Sequence, residues 1–166
     1  MTPSRTIAEG DRAPIAQPTL AGEGRFIVVF GTKGGVGKTV VSANLAVGLA
    51  QRLGKPVCLI DLDLMGAGDV AKVLNVTAKS SIADLAPVLK QRAAAQSATH
   101  DGAGNMFSLD GVLVPHSSGV HVLTSVSNPR QAGQLDPKTL PILFNELKSR
   151  YAYVIVDGGK SFSEAL

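Results

Sequence analysis

A glycine-rich loop between two apolar segments constrains this sequence more than any other feature. Residues 31–39 read G-T-K-G-G-V-G-K-T. The segment before them, 26–30, is short, β-branched and aromatic, which is typical of a buried strand. The segment after them, 40–53, predicts an amphipathic helix. Strand, glycine-rich turn and helix in this order are the setting in which backbone N–H groups bind a polyphosphate, so the sequence predicts a nucleotide-binding loop.

Each residue type in the loop suits that chemistry. Gly34, Gly35 and Gly37 let the backbone approach phosphates closely, and the helix N-terminus adds partial positive charge there. The Lys38 ammonium would neutralise the β- and γ-phosphates, and the Thr39 hydroxyl would bind Mg²⁺. The backbone of neighbouring Val36 belongs to the same predicted cofactor-binding set. The apolar face of the predicted helix consists of Val41, Leu45, Val47, Leu49 and Leu53.

The loop departs from the general G-x-x-x-x-G-K-[ST] pattern at its start. Thr32 stands where the first glycine is expected, with Gly31 before it and a second lysine, Lys33, after it. K-G-G-x-G-K-T resembles the deviant Walker A loop of the ParA/MinD ATPases. That resemblance implies that Lys33 reaches the partner's phosphates in an ATP-bound dimer. Taken alone, without the surrounding motif, Lys33 would be interpreted as a solvated loop lysine.

Carboxylates follow two further predicted strands. The apolar segment 57–60 ends in Asp61 and Asp63, and the segment 153–156 ends in Asp157. Ligands of open α/β sheets bind at the carboxyl ends of the strands, so these acids are expected near the loop. Their chemistry would be to order Mg²⁺ and to orient the attacking water. An aspartate after a strand is also a common turn residue, an alternative that stays open for Asp61 above all.

The resemblance gives these acids specific roles. Asp157 matches the Walker B aspartate, Asp63 the switch I aspartate that positions water, and Asp61 a neighbour that supports the Mg²⁺ water shell. The family usually continues D-T-P after the Walker B strand, whereas this chain has Gly158-Gly159-Lys160. Two glycines predict a flexible switch II, which puts its backbone contact to the γ-phosphate in question.

Three shorter motifs resemble one branch of the family. Residues 62–70, 116–123 and 151–164 are similar to the CpaE/TadZ proteins, ParA/MinD-like ATPases that localise pilus and secretion machinery in bacteria. A receiver-like domain precedes the ATPase domain in that branch. The resemblance covers the chain from about residue 25 to its end.

Composition limits the alternatives. The 166 residues carry a formal net charge of +3 without a concentrated Lys/Arg block, which does not support direct nucleic-acid binding. The one cysteine, Cys58, excludes a disulfide framework or a cysteine-ligated cluster within the chain and is expected in the core. No apolar run approaches membrane-spanning length and no leader pattern is present, which predicts a cytoplasmic protein. The three histidines lack ligand-like spacing, so none is assigned a metal or catalytic role.

The chain divides into a flexible linker or tail, 1–24, and the N-terminal part of a P-loop ATPase domain, 25–166. Within the domain, a short helix is expected over 69–74, and Ser81 with Asp84 predicts a helix start. The low-complexity stretch 91–105 predicts an exposed, mobile loop.

Further along, we expect a strand over 120–126 and a helix from Asp136 to about Arg150. The apolar face of that helix consists of Leu140, Leu143, Phe144 and Leu147. Residues 109–114 are ambiguous between a helical turn and a strand.

The fold class predicted is a doubly wound, mostly parallel α/β sheet of P-loop NTPase type, truncated after the Walker B strand. By resemblance, the strand ending at Asp157 lies beside the strand 26–30, which would then be an unprotected edge. Residues that recognise the base, and any membrane helix of the MinD kind, would lie beyond Leu166.

Function is expected to be ATP-Mg²⁺ binding and slow ATP hydrolysis. These would drive a homodimerisation switch that localises a pilus or secretion assembly through partner proteins of that machinery. One alternative is a scaffold that binds nucleotide without hydrolysing it, as Gly158-Gly159-Lys160 suggests. The other is a DNA-partition or flagellar-placement ATPase of the same superfamily.

Overall fold

The computed structural model describes residues 24–64, 68–98, 107–126 and 128–159. The predicted tail therefore lies outside the described residues except for Gly24. So do Lys160 and the residues that follow it. The strands are β1 (Arg25–Val29), β2 (Val57–Asp61), β3 (Leu113–Pro115), β4 (Val120–Leu123) and β5 (Tyr153–Asp157). The α-helices are α1 (Lys38–Leu53), α2 (Asp69–Val73), α3 (Ala86–Ala98), α4 (Pro129–Ala132) and α5 (Leu140–Arg150), with 3₁₀ turns at Ile82–Leu85 and Pro137–Thr139.

The strands form one sheet in the order β1-β5-β2-β4-β3. β1, β5, β2 and β4 are parallel, and the short β3 pairs antiparallel with β4 at one edge. This confirms the mostly parallel α/β fold and the predicted place of β5 beside β1. β1 is the other edge of the described sheet, and its Val28 side chain is 46% exposed. Every residue of the central strand β2 is buried.

Helices cover both faces of the sheet, as a doubly wound fold requires. Alternate strand residues contribute to two separate cores. One core contains Cys58, Ile60 and side chains of α3 and α5. The other contains Val57, Leu59 and side chains of α1 and α2. The burial of Cys58 agrees with its prediction as a small core residue.

The buried face of α1 differs from the predicted one. Its buried side chains are Ser42, Ala43, Ala46 and Ala50, which are small enough to let the helix lie close to the sheet. Two residues of the predicted apolar face are largely exposed, Val41 by 54% and Leu53 by 47%. The apolar pattern correctly indicated a helix but assigned part of its buried face wrongly, because it counted large side chains and ignored alanine and serine.

The chain between α2 and β4 also differs in part from expectation. Ser81 and Asp84 form the predicted capping box, with the Ser81 amide donating to Asp84 Oδ2 over 2.7 Å. The helix that follows, α3, continues to Ala98, so the loop predicted from residue 91 is wrong for 91–98. Alanine-rich sequence has high helix propensity, and this outweighs its low complexity. In the ambiguous stretch, a turn precedes β3.

The helix predicted before the last strand is confirmed as a 3₁₀ turn followed by α5. Leu140, Leu143 and Leu147 are buried, and Phe144 packs its ring against that of Phe26 on β1 with centroids 4.8 Å apart. Among the described helices, none combines the length and hydropathy that crossing a bilayer would need.

Candidate functional site

The loop after β1 leads directly into α1. Gly35 and Gly37 have φ of 73° and 83°, backbone angles that other residues rarely adopt. Gly37 is also the N-cap residue of α1, and no side chain caps this helix end. Backbone N–H groups of the first turn are therefore left for another acceptor, at the positive end of the helix dipole. An anion is the ligand that this arrangement favours.

Lys38 and Lys33, the two loop lysines, occupy different environments. Lys38 is partly buried, and its Nζ donates a hydrogen bond to the Lys33 carbonyl over 3.0 Å, which folds the ammonium back over the loop. The Lys33 side chain is exposed. Gly31 faces the Lys38 stem, and a Cβ at Gly31 would lie only 3.3 Å from Lys38 Cδ. The glycine at position 31 thus gives the Lys38 side chain room to cross the loop.

Asp157 ends β5 between the ends of β1 and β2, because it pairs in register with both Val29 and Asp61. Its carboxylate accepts hydrogen bonds from the Thr39 hydroxyl and the Gly159 amide. Burial raises the pKa of Asp157, and these two donors and the charge of Lys38 offset only part of that rise. Its Oδ1 is buried without a hydrogen-bond partner among the described residues.

The pair formed by Asp157 and Thr39 fits a divalent cation. A buried carboxylate oxygen lacking a donor, next to a hydroxyl oxygen, offers the hard oxygen ligands that Mg²⁺ prefers. Among the described residues, no group of three or more His, Cys, Asp or Glu side chains is arranged to hold a metal. The pair would therefore supply only part of a coordination shell, as is usual for Mg²⁺ bound together with a phosphate.

Asp61 is buried at the end of β2, and backbone donors engage both of its oxygens. The Asp63 amide donates to Oδ1 over 3.0 Å, and the Val70 amide donates to Oδ2 over 3.2 Å. Burial raises the pKa of Asp61 to about 7; the two N–H donors lower it in part, and the charges of Asp157 and Asp63 raise it. Asp61 thus ties both ends of the segment 62–70 to the sheet. Its assignment to the Mg²⁺ water shell stays a prediction.

Asp63 lies two residues beyond β2, against the loop that follows β5. A Cβ added to Gly159 would approach Asp63 Cγ to 3.0 Å and Asp63 Cα to 3.1 Å. Gly159 has φ of 66°. The Asp63 carbonyl accepts a hydrogen bond from Ser125 Oγ over 2.9 Å. The structure therefore brings Lys38, Thr39, Asp157 and Asp63 to one end of the sheet.

Sequence reasoning missed Ser125 and the packing role of Gly159. The departure from D-T-P marked Gly159 as unusual, but a glycine in a loop can serve flexibility or close contact, and sequence does not distinguish the two. Ser125 follows β4 within a Thr/Ser-rich stretch, which carries no sign of its long-range partner.

A separate open cavity of about 500 Å³ lies elsewhere, lined by residues 74–77 and 114–117. These ranges follow α2 and include the end of β3. They contain none of the residues predicted to bind nucleotide.

Comparison with known proteins agrees with this geometry. A family model described as ParA: NUBPL iron-transfer P-loop NTPase matches residues 23–101. The antiactivator FleN of Pseudomonas aeruginosa is 32% identical over 142 residues, which cover 86% of this chain and 45% of FleN. The chain thus spans about half the length of the curated relatives it matches.

Two solved structures show the same fold. The septum site-determining protein MinD of Pyrococcus horikoshii, complexed with Mg-ADP, has a TM-score of 0.65 and 25% identity, covering 85% of this chain and 51% of that one. A ParA family ATPase of Chlorobium tepidum has a TM-score of 0.69 and 22% identity, covering 85% of this chain and 54% of that one.

Proposed function

Since the matched part of this chain is a ParA/MinD-family P-loop NTPase, we propose that it binds ATP-Mg²⁺ and uses the nucleotide to switch between monomer and homodimer. The observation that carries the proposal is the buried Asp157 Oδ1 without a partner, beside Thr39 and next to the uncapped N-terminus of α1. An anion site and a cation site therefore adjoin each other. A nucleoside triphosphate with its magnesium ion needs both.

Different residues would bind the phosphates, hold Mg²⁺ and orient the attacking water. The backbone from Gly34 to Gly37 and the Lys38 ammonium would bind the phosphates. Thr39 and Asp157 would hold Mg²⁺, which when bound screens the phosphate charge and stabilises the charge that develops in hydrolysis. Asp63 would orient the attacking water.

Lys33 is proposed to act on a second copy of the chain. Its side chain is exposed while its carbonyl is held by Lys38, so the ammonium can extend away from its own loop. A switch of this kind requires that ATP favour the dimer more than ADP does. Lys33 would provide that difference by contacting the partner's bound triphosphate.

Nucleotide titration calorimetry on the chain with Lys38→Ala tests the binding proposal. Loss of a charge-assisted contact should weaken ATP-Mg²⁺ binding by about 30-fold or more. Lys55→Ala removes an exposed lysine just beyond the other end of α1 and should leave the affinity unchanged. Equal affinities in all three proteins, or no uptake by the unsubstituted chain, would refute the proposal.

A separate variant, Lys33→Ala, tests the proposed dimer. It should abolish the ATP-dependent self-association that light scattering measures.

Slow hydrolysis belongs to the proposal, and a non-hydrolysing scaffold is its first rival. Gly159, the second of the two glycines after β5, packs against Asp63, so it allows a close contact in addition to any flexibility. That contact favours an ordered Asp63 and hence hydrolysis. Phosphate release that is lost in Asp63→Ala supports hydrolysis. Equal release by the two proteins supports the scaffold.

Localisation of a pilus or secretion assembly, as in the CpaE/TadZ branch, is the cellular role we propose. It rests on the sequence motifs of residues 62–70, 116–123 and 151–164. The second candidate is a flagellar-placement ATPase, which the similarity to the antiactivator FleN and the septum site-determining protein MinD favours. A DNA-partition ATPase of the same superfamily is the remaining alternative. Co-purification with pilus or secretion proteins supports the first role. Salt-sensitive DNA binding would support partition.

The description of the matching family model also raises iron transfer. Cys58 is the one cysteine in the 166 residues, and it is fully buried within β2. A thiolate cluster site needs several accessible cysteines. The residues of this chain therefore do not favour that role.

A further inference from the structure

Ser125 makes a hydrogen bond that links two distant parts of the chain at the site. Its Oγ donates to the Asp63 carbonyl over 2.9 Å, across 62 positions of sequence. Ser125 lies two residues beyond β4 and is only 5% exposed. Because β4 is paired with β2 in register, the end of β4 is a rigid support for the segment that leaves β2.

Asp63 is held from two other directions as well. Its amide donates to Asp61 Oδ1 over 3.0 Å, which ties the residue to the end of β2. Gly159 packs against its Cα and Cγ from the side of β5. The Ser125 bond fixes the remaining backbone group, the carbonyl. With both its amide and its carbonyl held, the backbone of Asp63 has little freedom to rotate, and the direction of its Cα–Cβ bond is set by the fold.

We propose that Ser125 is a positioning residue that holds Asp63 in the orientation needed for hydrolysis. The inference rests on the proposed function, in which Asp63 orients the attacking water. Ser125 would act through the Asp63 backbone and would not contact the nucleotide. Alignment of this kind matters because small displacements of a group that positions a reactant reduce the rate strongly.

Thr124 provides a matched control at the preceding position. It is also 5% exposed, and its Oγ1 donates to a backbone carbonyl, that of Ser80, over 3.2 Å. The two hydroxyls thus share the same strand end, burial and type of bond. They differ in which segment they hold, since Ser80 precedes the 3₁₀ turn that leads into α3.

The experiment compares Ser125→Ala, Ser125→Thr and Thr124→Val with the unsubstituted 166-residue chain. The first readout is hydrogen exchange of the Asp63 amide by NMR without nucleotide. The Asp63 amide keeps its own bond to Asp61, but opening of the segment that carries it would break one hydrogen bond fewer in Ser125→Ala, so its exchange rate should rise about tenfold. Thr124→Val should leave that rate within about twofold, and Ser125→Thr, which keeps a hydroxyl, should restore most of the protection.

The second readout is steady-state hydrolysis of ATP. Ser125→Ala should lower kcat about tenfold and leave KM within about twofold, because it disturbs alignment and not phosphate binding. Ser125→Thr should recover most of kcat. A purely structural role would predict equal losses in Ser125→Ala and Thr124→Val, and that result would overturn the proposal.

The two readouts separate this inference from the proposed function. If the unsubstituted chain binds no nucleotide, the proposed function fails, and the exchange rates still decide whether Ser125 holds Asp63. If that chain hydrolyses ATP and Ser125→Ala keeps its kcat, the positioning role is wrong while the proposed function stands. Unchanged exchange of the Asp63 amide in Ser125→Ala overturns the inference in either case.

Discussion

At the amino ends of the parallel strands, largely buried polar side chains bond to one another, whereas at the carboxyl ends a buried acceptor has no hydrogen-bond partner among the described residues. Arg150 Nε donates to Glu146 over 2.8 Å, and the Arg150 guanidinium also donates to a backbone carbonyl. The Tyr151 hydroxyl lies 2.8 Å from His121 Nδ1. At the carboxyl ends, Asp157 keeps a buried oxygen with no partner among the described residues.

We infer from this difference that the amino end of the sheet is built for stability and the carboxyl end for a ligand. A buried polar group that is paired costs little, but one that is left unpaired costs about 1–3 kcal/mol. An unpaired buried group in a native fold needs an explanation, and a bound ligand that completes it is one such explanation. Substitutions at the amino end should therefore change stability alone, and those at the carboxyl end should change nucleotide chemistry.

The largest effect is expected from Glu146→Ala, at the amino end. It leaves the Arg150 guanidinium, whose side chain is 10% exposed, without its carboxylate, which should lower the unfolding free energy by about 3 kcal/mol. Nucleotide affinity should stay within about twofold, since the change lies at the other end of the strands. Urea unfolding and calorimetry measure the two quantities.

The matched control for Glu146→Ala is Asp69→Ala, which breaks the ion pair with Lys72. Both of these side chains are about two-thirds exposed (64% and 65%), so the loss should be about 0.5 kcal/mol or less. A loss in Glu146→Ala no larger than in the control would contradict the view that the amino end carries stability.

Gly159→Ala, at the carboxyl end, should have an intermediate effect on stability. The substitution strains a backbone with φ of 66° and places a methyl group 3.0 Å from Asp63 Cγ, which together should cost about 2 kcal/mol. Phosphate release should also fall, because Asp63 must move. Gly54→Ala is the control, since its φ is 58° and no atom lies within 4 Å of the added Cβ. If both variants hydrolyse ATP equally, the contact has no function.

The smallest effect is a pH dependence from Asp61. Burial raises its pKa to about 7, so the folded state binds a proton more tightly than the unfolded state. The resulting stability is complete below the ordinary pKa and is lost as the pH rises through 7. Lowering the pH from 8 to 6 should therefore add about 1 kcal/mol to the unfolding free energy.

Asp61→Asn should remove that increment, as urea unfolding at pH 6, 7 and 8 would measure. His121, whose pKa burial lowers, is present in both proteins, so its opposite contribution cancels in the comparison. Parallel pH profiles for the two proteins would show that Asp61 does not titrate in this range.

Most of the fold was predictable because the signals were local. Buried strands of β-branched residues, the glycine-rich loop and the strand-end acids appear directly in sequence, and parallel strands then bring their ends together. The sequence therefore indicated that Asp157 and Lys38 would meet at one edge of the sheet.

The remainder depended on tertiary contacts. The buried face of α1 is made of alanines such as Ala46, which apolar patterns underweight. The partner of Ser125 lies 62 positions away, and no local rule connects them. Gly159 could be marked as unusual, but only the position of Asp63 shows that its missing side chain makes room for a contact.

The alanine face of α1 also makes the proposed phosphate site sensitive to changes made far from it. Lys38 and Thr39 are the first two residues of the same rigid helix whose Ala46 is completely buried against the sheet. A bulkier side chain at Ala46 would lift the helix and carry both residues away from Asp157. A substitution at this buried position would thus weaken the proposed nucleotide site without altering any residue predicted to contact the ligand.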